Sequence, residues 1–437
     1  MKTGILTAAV SCALLTLSQS GAAQTATPSP ALGVATPPAS AAVSPMVNPG
    51  ADPTGTEASG IPADGLYRPT AYRLGQSGVF VTPTLGVTIG YNDNLRITST
   101  NRISSNFLVL SPRLLAEAAY RADRYTLGYQ ADVIRYGSSS RDDIENQELA
   151  ATGQNVFGTR TGVNWRASLS DRFDPIGSTQ RSSGGAVTTP DHWQGALLSG
   201  TGRYGAPGAR GRVEVDLGYF KKEYQNNRAT TAGADFDSLT FATRLYTRVA
   251  PNTELLTEYR ATQFDYRLDS NNLDNTEQRL LVGAQWRATA KTSGIFKVGY
   301  LNKHFDRVRP SYSGGTWEGG VRWEPRTYSF VEVSTGRTAS DPSGTGTNFI
   351  LSSFVSGAWT HRWRSFFSTR VNFLHIEDDY NGASRRDRTN TLGISAAYDV
   401  RRNVRASLAL EHTKRDSSIS VFDYTRNLAT ARVELAF

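Results

Sequence analysis

Residues 79–92 read VFVTPTLGVTIGYN, and lipophilic residues alternate along them with small or polar ones. The alternation continues for more than ten residues, whereas strands of soluble proteins run for about five or six. It suits a strand that crosses a bilayer at a tilt. One face carries the apolar side chains Val79, Val81, Pro83, Leu85, Val87, Ile89 and Tyr91. The other face carries threonines and glycines, with Phe80 as the exception. The stretch therefore predicts a membrane-spanning β-strand.

The same period of two recurs to the end of the chain, and we expect about eighteen strands, within a range of 16–18. The predicted strands are 79–92, 106–120, 124–136, 144–158, 160–173, 192–205, 209–224, 236–249, 253–266, 275–288, 292–305, 314–325, 327–337, 348–362, 364–377, 387–401, 402–415 and 421–437. A soluble sandwich also alternates, but with shorter strands and its polar face outward. Here one face is rich in aromatic and small residues and the other carries charges of both signs. The predicted fold is an all-β, antiparallel, up-and-down transmembrane β-barrel.

The predicted connections alternate between short and long. Short ones lie at 122–123, 205–208, 250–252, 288–291 and near Pro325, and long ones at 93–105, 174–191, 225–235, 267–274, 338–347 and 378–386. Bacterial outer-membrane barrels have short periplasmic turns, long outer loops and an even number of strands. We therefore expect the N-terminal tail and the C-terminus to be periplasmic. The longest loop, 174–191, is the candidate for a loop folded into the lumen.

Aromatic residues gather beside both sets of connections, as in the girdles at the two edges of a membrane. Those beside short turns are Tyr120, Tyr125, Trp165, Tyr204, Trp286, Trp323, Trp359, Trp363, Tyr398 and Phe437. Those beside long loops are Tyr91, Phe173, Trp193, Tyr219, Phe264, Tyr300, Trp317, Phe373 and Tyr424. Rings scattered through a soluble core would not form two belts, so this distribution supports the membrane barrel.

The N-terminal region has a different composition. Lys2, the apolar run 5–17 and the small residues 21–23 predict a secretory signal peptide over residues 1–23. The only cysteine, Cys12, lies in that run, so the mature chain would hold no disulfide and no thiolate zinc site. Residues 24–75 are rich in Pro, Ala, Ser and Thr and predict a disordered tether, with binding or pore plugging as the alternative. Residues 76–437 form the predicted barrel.

The polar faces of the strands provide the candidate lumen-lining residues. These are Arg113, Glu117, Asp132, Arg166, Arg212, Glu214, Asp216, Arg244, Glu258, Arg279, Arg287, Arg322, Arg370 and Arg432. Basic and acidic residues are nearly balanced, which predicts ion pairs along the wall and at most a mild preference for anions. A barrel of eighteen strands is wide enough for an aqueous channel unless loops or the tail fill it. Few aromatic residues are expected to face inward, namely Phe80, Phe107, Tyr246 and Phe220.

Other kinds of site find little support. No two of the five histidines have metal-ligand spacing, so neither a metal nor a cofactor is expected. His192, His375 and His412 each have a carboxylate nearby in sequence but no serine motif, so no catalytic residue is predicted and an outer-membrane hydrolase remains a distant alternative.

The net charge of +8 does not point to nucleic acid, because no basic cluster is interleaved with stacking rings. Basic residues of the outer loops could meet lipopolysaccharide phosphates or an acidic polysaccharide, although solvated loop charge is the favoured interpretation. These residues are Arg385, Arg386, Arg388, Lys414 and Arg415.

Several short motifs resemble one known family. Gly78-Val79 leads a strand that closes in 91–94 (YNDN), Ser111-Pro112 lies in the next strand, and Asn146-Gln147-Glu148 follows. In these the sequence resembles the second of the putative β-barrel porin families. The resemblance implies an outer-membrane barrel, often encoded beside exopolysaccharide or capsule genes, with no established catalytic residues.

The chain ends in Val433 to Phe437, which resembles the C-terminal signature recognised by the barrel assembly machinery. Two functions remain open. One is a channel that serves as the outer-membrane exit, or an accessory, for exopolysaccharide or capsule export, working with other export proteins. The other is a structural or adhesive barrel with a plugged lumen, whose loops or tail bind partners.

Overall fold

The structure of the chain is a computed structural model that describes residues 66–177, 189–206, 209–268, 272–289, 291–341 and 347–437. The predicted signal peptide, the tether up to residue 65 and most of the loop 174–191 lie outside these residues. Within the described ranges, no helix has the length and apolar character of a membrane span.

Strands dominate the described chain. They are β1 (Tyr72–Arg73), β2 (Val79–Asn92), β3 (Ser105–Tyr120), β4 (Asp123–Tyr136), β5 (Ile144–Val156), β6 (Thr161–Asp174), β7 (Asp191–Tyr204), β8 (Gly211–Tyr224), β9 (Phe236–Ala250), β10 (Thr253–Tyr266), β11 (Asn275–Thr289), β12 (Thr292–Phe305), β13 (Tyr312–Arg326), β14 (Ser329–Ser340), β15 (Phe349–Arg364), β16 (Phe367–Asn381), β17 (Arg385–Arg401), β18 (Val404–Ser417) and β19 (Tyr424–Ala436). One short helix, α1 (Arg228–Thr231), and 3-10 turns at Ser140–Asp142, Ala232–Ala234 and Ser420–Phe422 lie in connections.

β2 to β19 form one closed antiparallel barrel of eighteen strands. Each strand pairs with its neighbours in sequence, and β19 closes on β2 from Leu428 opposite Asn92 to Ala436 opposite Thr84. The prediction of an up-and-down barrel is confirmed, and three strands, β2, β10 and β12, have the predicted bounds. Closure removes the exposed sheet edges that a membrane does not tolerate.

The connections divide the barrel into two ends. Short connections lie at 121–122, 157–160, 205–210, 251–252, 290–291, 327–328, 365–366 and 402–403, at the end where the chain enters β2 and leaves β19. We call this the short-turn end and the opposite one the long-loop end. The long loop predicted for 378–386 is wrong, because β16 and β17 continue until only residues 382–384 join them. Long-loop connections at 137–143, 306–311 and 418–423 were not among the predicted ones.

The alternation along each strand separates an outer apolar face from an inner polar one. Large apolar side chains such as Ile89, Leu198 and Leu408 are about 60% exposed on the outside (60%, 59% and 63%). All ten aromatic residues predicted for the girdle at the short-turn end have the parity of this outer face. Seven of them are at least 42% exposed. At the long-loop end the prediction is wrong for Trp193, Phe264 and Tyr424, because they share the inner face with charged residues of the same strands.

The barrel lumen as candidate functional site

The fourteen predicted lumen-lining residues all lie on the inner face of the barrel, judged by strand alternation and register. Most of them belong to ion pairs or hydrogen-bonded networks. Asp132 accepts a hydrogen bond from Ser111 Oγ at 2.6 Å, and Arg166 pairs with Glu148 at 2.5 Å. Such pairing explains how a wall carrying both signs of charge holds together, as the sequence predicted.

The densest network lies midway along β10 to β13. Glu258, with no exposed surface, binds Lys297 Nζ at 2.9 Å, and that ammonium also contacts Glu318 at 2.5 Å. Arg260 Nη1 and Arg279 Nη1 approach the same Glu318 carboxylate at 3.0 and 3.3 Å. Each carboxylate therefore meets more than one cation, and removing a single member would leave a buried charge without compensation.

A second network crosses β7 to β10. Arg244 Nη2 donates to both oxygens of Asp216, at 2.8 and 2.6 Å, and its Nε lies 3.3 Å from Glu214. Thr201 Oγ1 donates a hydrogen bond to Asp216 Oδ1 at 2.6 Å. Arg212 Nη2 lies 3.2 Å from Glu254 Oε2. These charges neutralise one another and are not free to attract a solute.

The wall between β13 and β19 carries further pairs. Arg322 and Arg370 both bind Glu332, at 3.0 and 3.2 Å, and Arg432 lies 3.3 Å from Glu434. The guanidinium of Arg432 rests over the β2 backbone at Gly86, where an added Cβ would lie 2.3 Å from its Nη2. A glycine at that position therefore leaves room for the arginine.

Arg113 and Glu117 differ from the other predicted residues. Neither makes an ion pair or side-chain hydrogen bond among the described residues, and Glu117 is exposed to the lumen. Arg287 is also exposed at the short-turn end. The inner wall is therefore wetter towards the short-turn end than in the middle of the barrel.

The long-loop half of the lumen is filled instead. Phe107, Val109 and Ile134 on the inner face pack with Leu95 of the first long connection, and Val109 and Ile134 have no exposed surface. The prediction that few aromatic residues face inward is wrong. The inner face also holds the buried rings Tyr136, Tyr224, Phe264, Tyr266, Phe305, Tyr380 and Tyr424.

Several of these rings cover cations. The Lys303 ammonium lies 5.0 Å from the centre of the Phe264 ring and 5.4 Å from that of Phe305. The Arg385 guanidinium lies between two rings, with its Cζ 4.2 Å from the centre of the Tyr380 ring and 3.5 Å from that of Phe422. Desolvated cation–aromatic contacts of this kind stabilise a packed interior. They also leave few ring faces available for a sugar.

The end of β14 separates from β13 and passes inside the wall, while β15 stays paired with β16 as far as Phe349 opposite Asn381. Pairing of β13 with β14 ends at Glu318 opposite Gly336, and beyond it Thr316 Oγ1 on the inner face donates to Arg337 O at 2.6 Å. Ala339 and Phe349 then pack on the inward side chains Leu301 and Phe305. We call residues 337–341 and 347–351 the constriction hairpin.

Asp341 fixes the end of the constriction hairpin. Its carboxylate lies 2.8 Å from Lys303 Nζ and accepts hydrogen bonds from Tyr266 Oη and Asn275 Nδ2, both at 3.0 Å. These donors lie on the inner faces of β12, β10 and β11, so the hairpin reaches across three strands. Most of loop 174–191, the loop that the sequence suggests as the candidate for inward folding, lies outside the described residues.

The segment before β1 closes part of the short-turn end. Tyr67 is 7% exposed, its backbone N–H donates to Asp399 Oδ2 at 3.1 Å, and Arg405 lies 4.7 Å above its ring. Burial, together with the nearby Glu434 carboxylate, raises the pKa of the Tyr67 phenol well above its usual value, so the phenol stays neutral. Residues 66–75, predicted to belong to the tether, therefore lie against the barrel.

The histidines weighed as catalytic candidates lie outside the lumen. His375 and His412 are on outward positions, where their Nδ1 atoms lie 2.8 and 2.7 Å from Asn390 and Asn427 side chains. His192 stacks on Phe173 and contacts Asp171 at 2.5 Å. Within the described part of the chain, no group of three or more metal-ligating side chains comes together.

Comparisons with known proteins give one family and several structural neighbours. The family described as Putative beta-barrel porin 2 matches residues 65–437. The FrpB iron transporter of Neisseria meningitidis (F3-3 variant) is 10% identical with a TM-score of 0.44, covering 76% of this chain, which spans 62% of that transporter's length. OccK11 of Pseudomonas aeruginosa is 13% identical with a TM-score of 0.43, covering 82% of this chain and 96% of that one. The copper transporter OprC is 9% identical with a TM-score of 0.46, covering 84% and 82%. A search of curated proteins gives no match.

Proposed function

The chain belongs to the Putative beta-barrel porin 2 family, and from this premise we propose that it is a solute channel whose short-turn end faces the periplasm. It is an outer-membrane β-barrel of porin type. Short turns are periplasmic in bacterial barrels of known orientation, which supports the proposed direction. The outward Phe437, 54% exposed beside the closing strands, is then available to the barrel assembly machinery.

The channel proposal is supported mainly by a gradient in burial along the inner wall. At the short-turn end the inward residues Glu117, Arg124 and Arg287 are exposed, and Phe80 is 42% exposed. In the long-loop half the inward Lys303 and Phe305 are 1% and 2% exposed beneath the constriction hairpin. A wide vestibule that narrows under a folded-in hairpin is the shape of a size-selective or gated pore.

The proposed solute is a secreted polysaccharide, the role that the family resemblance implies. An eighteen-stranded barrel encloses a lumen wider than that of the small barrels filled by their own side chains. A single extended sugar chain would fit that width once the constriction hairpin moves aside. Because the aromatic rings at the long-loop end are buried, they would contact a sugar only in that open state.

Release from liposomes tests this proposal. Purified full-length chain is reconstituted into vesicles loaded with fluorescent oligosaccharides of increasing length. We expect release of short chains and retention beyond a length limit, with no release from vesicles that contain heat-denatured protein. Retention of every oligosaccharide, including the shortest, would contradict a channel.

The alternative is a structural barrel, and the filled long-loop half specifically favours it. In that case the constriction hairpin and the apolar cluster around Leu95 form a permanent plug. Loosening the hairpin by substituting Asp341 separates the two functions. A gated channel would then release longer oligosaccharides, whereas a permanently plugged barrel would remain tight or lose its fold.

A further inference from the structure

Positive charge is concentrated at the short-turn end. Five of its eight connections contain a basic residue and none contains a carboxylate. The basic residues are Arg121, Arg160, Arg210, Lys291 and Arg402. β13, β15 and β17 also end there in arginine.

Two further arginines lie just inside the lumen, at the same end as the exposed inward carboxylate Glu117. Arg124 and Arg203 each lie one residue from a strand end, and the exposed Leu127 and Leu198 of the opposite parity show that both arginines point inward. In the ladders Arg124 stands opposite Ala119 and Arg203 opposite Glu214. Neither side chain forms an ion pair or hydrogen bond within the described ranges. They contrast with Arg244 and Arg279 deeper in the barrel, which carboxylates neutralise.

The long-loop end shows no such excess on its outer surface. Arg388 lies 3.1 Å from Glu377 and Lys414 lies 2.8 Å from Asp416, and Arg135 and Arg386 contact Glu145 and Asp379 in the same way. The electric field is therefore asymmetric along the barrel axis. A charged mouth with low-dielectric walls raises the local concentration of oppositely charged solute.

We propose that the short-turn mouth collects a polyanion, so that the exported solute is an acidic polysaccharide carrying carboxylate or sulfate groups. This inference rests on the proposed channel function and its orientation. Guanidinium groups bind such oxyanions with paired hydrogen bonds. Anionic lipid headgroups are the competing partner of the turn cations, but Arg124 and Arg203 face the lumen, where headgroups do not reach.

The test compares two polymers and two variants of the full chain in planar bilayers of zwitterionic lipid. Dextran sulfate or neutral dextran of equal length is added to each side, with an N-terminal tag reporting the short-turn side. The mouth variant is R124Q/R160Q/R203Q/R402Q, and the matched control, R135Q/R386Q/R388Q/K414Q, removes four cations from the outward surface of the long-loop end.

Dextran sulfate should block the wild type from the short-turn side at about one-tenth of the dextran concentration or less. The mouth variant should lose that advantage and the control should keep it. The effect should weaken with added salt, because exposed charges are screened within about 10 Å at 0.1 M. Equal block by the two polymers, or equal loss in both variants, would overturn the inference and leave the channel standing.

Binding of labelled dextran sulfate to the chain in zwitterionic nanodiscs separates the two proposals. If no currents are seen but binding depends on the mouth arginines, the channel fails and the anion site remains. If anionic lipid in the nanodisc abolishes binding, the turn cations serve headgroups and the inference is overturned.

Discussion

Replacing Asp341 by alanine should release the constriction hairpin. The carboxylate is 5% exposed and satisfies Lys303, itself 1% exposed, together with Tyr266 and Asn275. Removing one partner of a buried ion pair costs about 3–5 kcal/mol, because the other charge is left uncompensated. At about 1.4 kcal/mol per factor of ten, the ratio of docked to undocked hairpin falls about a hundredfold to a few thousandfold.

Single-channel recording measures the result. We expect D341A to show larger or more frequent conductance steps than the wild type, with the barrel still folded by urea titration. The double variant K303M/D341A, which removes the stranded ammonium, should recover part of the wild-type behaviour. D379A is the matched control, because its pair with Arg386 is about half exposed and such pairs contribute about 0–1 kcal/mol. Unchanged conductance in a folded D341A barrel would refute the assignment of the constriction hairpin as the narrowest part of the lumen.

Three further predictions follow from other contacts. L198K should destabilise the refolded barrel by about 2–4 kcal/mol, because Leu198 faces lipid, whereas L197K points into the lumen and should cost far less in urea titration. Y67A should speed tryptic cleavage after Arg73, whereas Pro69 blocks cleavage after Arg68 in both proteins. Since the pKa of Tyr67 is raised, its anchoring should persist at neutral pH and weaken only as pH rises above about 10. D142A should raise proteolysis of the first long connection, because Asp142 holds Arg96 with bonds of 3.1 and 2.9 Å that raise the pKa of that guanidinium.

The fold could be predicted because one periodic signal governs the whole barrel. Each strand must keep apolar side chains towards lipid. The place of Ile89 and Leu408 in the alternation is therefore enough to assign them to the outer face. The same argument would have placed Phe264 correctly, because it shares its alternation with Glu258 on the same strand. Phe264 lies near a loop, as girdle residues do, but parity decides which face a side chain occupies and directs this ring into the lumen.

The constriction hairpin could not be predicted in the same way. Ala339 and Phe349 belong to strands whose pattern looks ordinary, and Asp341 directly follows β14. Their inward course depends on contacts with Leu301, Lys303 and Tyr266, which are distant in sequence. The burial of Tyr67 likewise depends on Asp399 and Arg405, more than three hundred residues away. Such long-range contacts leave no local periodicity to detect.

We expect this barrel to conduct solute through a lumen narrowed by its own hairpin. Single-channel conductance of the wild type and of D341A in the same bilayer tests it most directly. We expect discrete currents in the wild type and larger ones in the variant. Both proteins inserted, folded and electrically silent would contradict it.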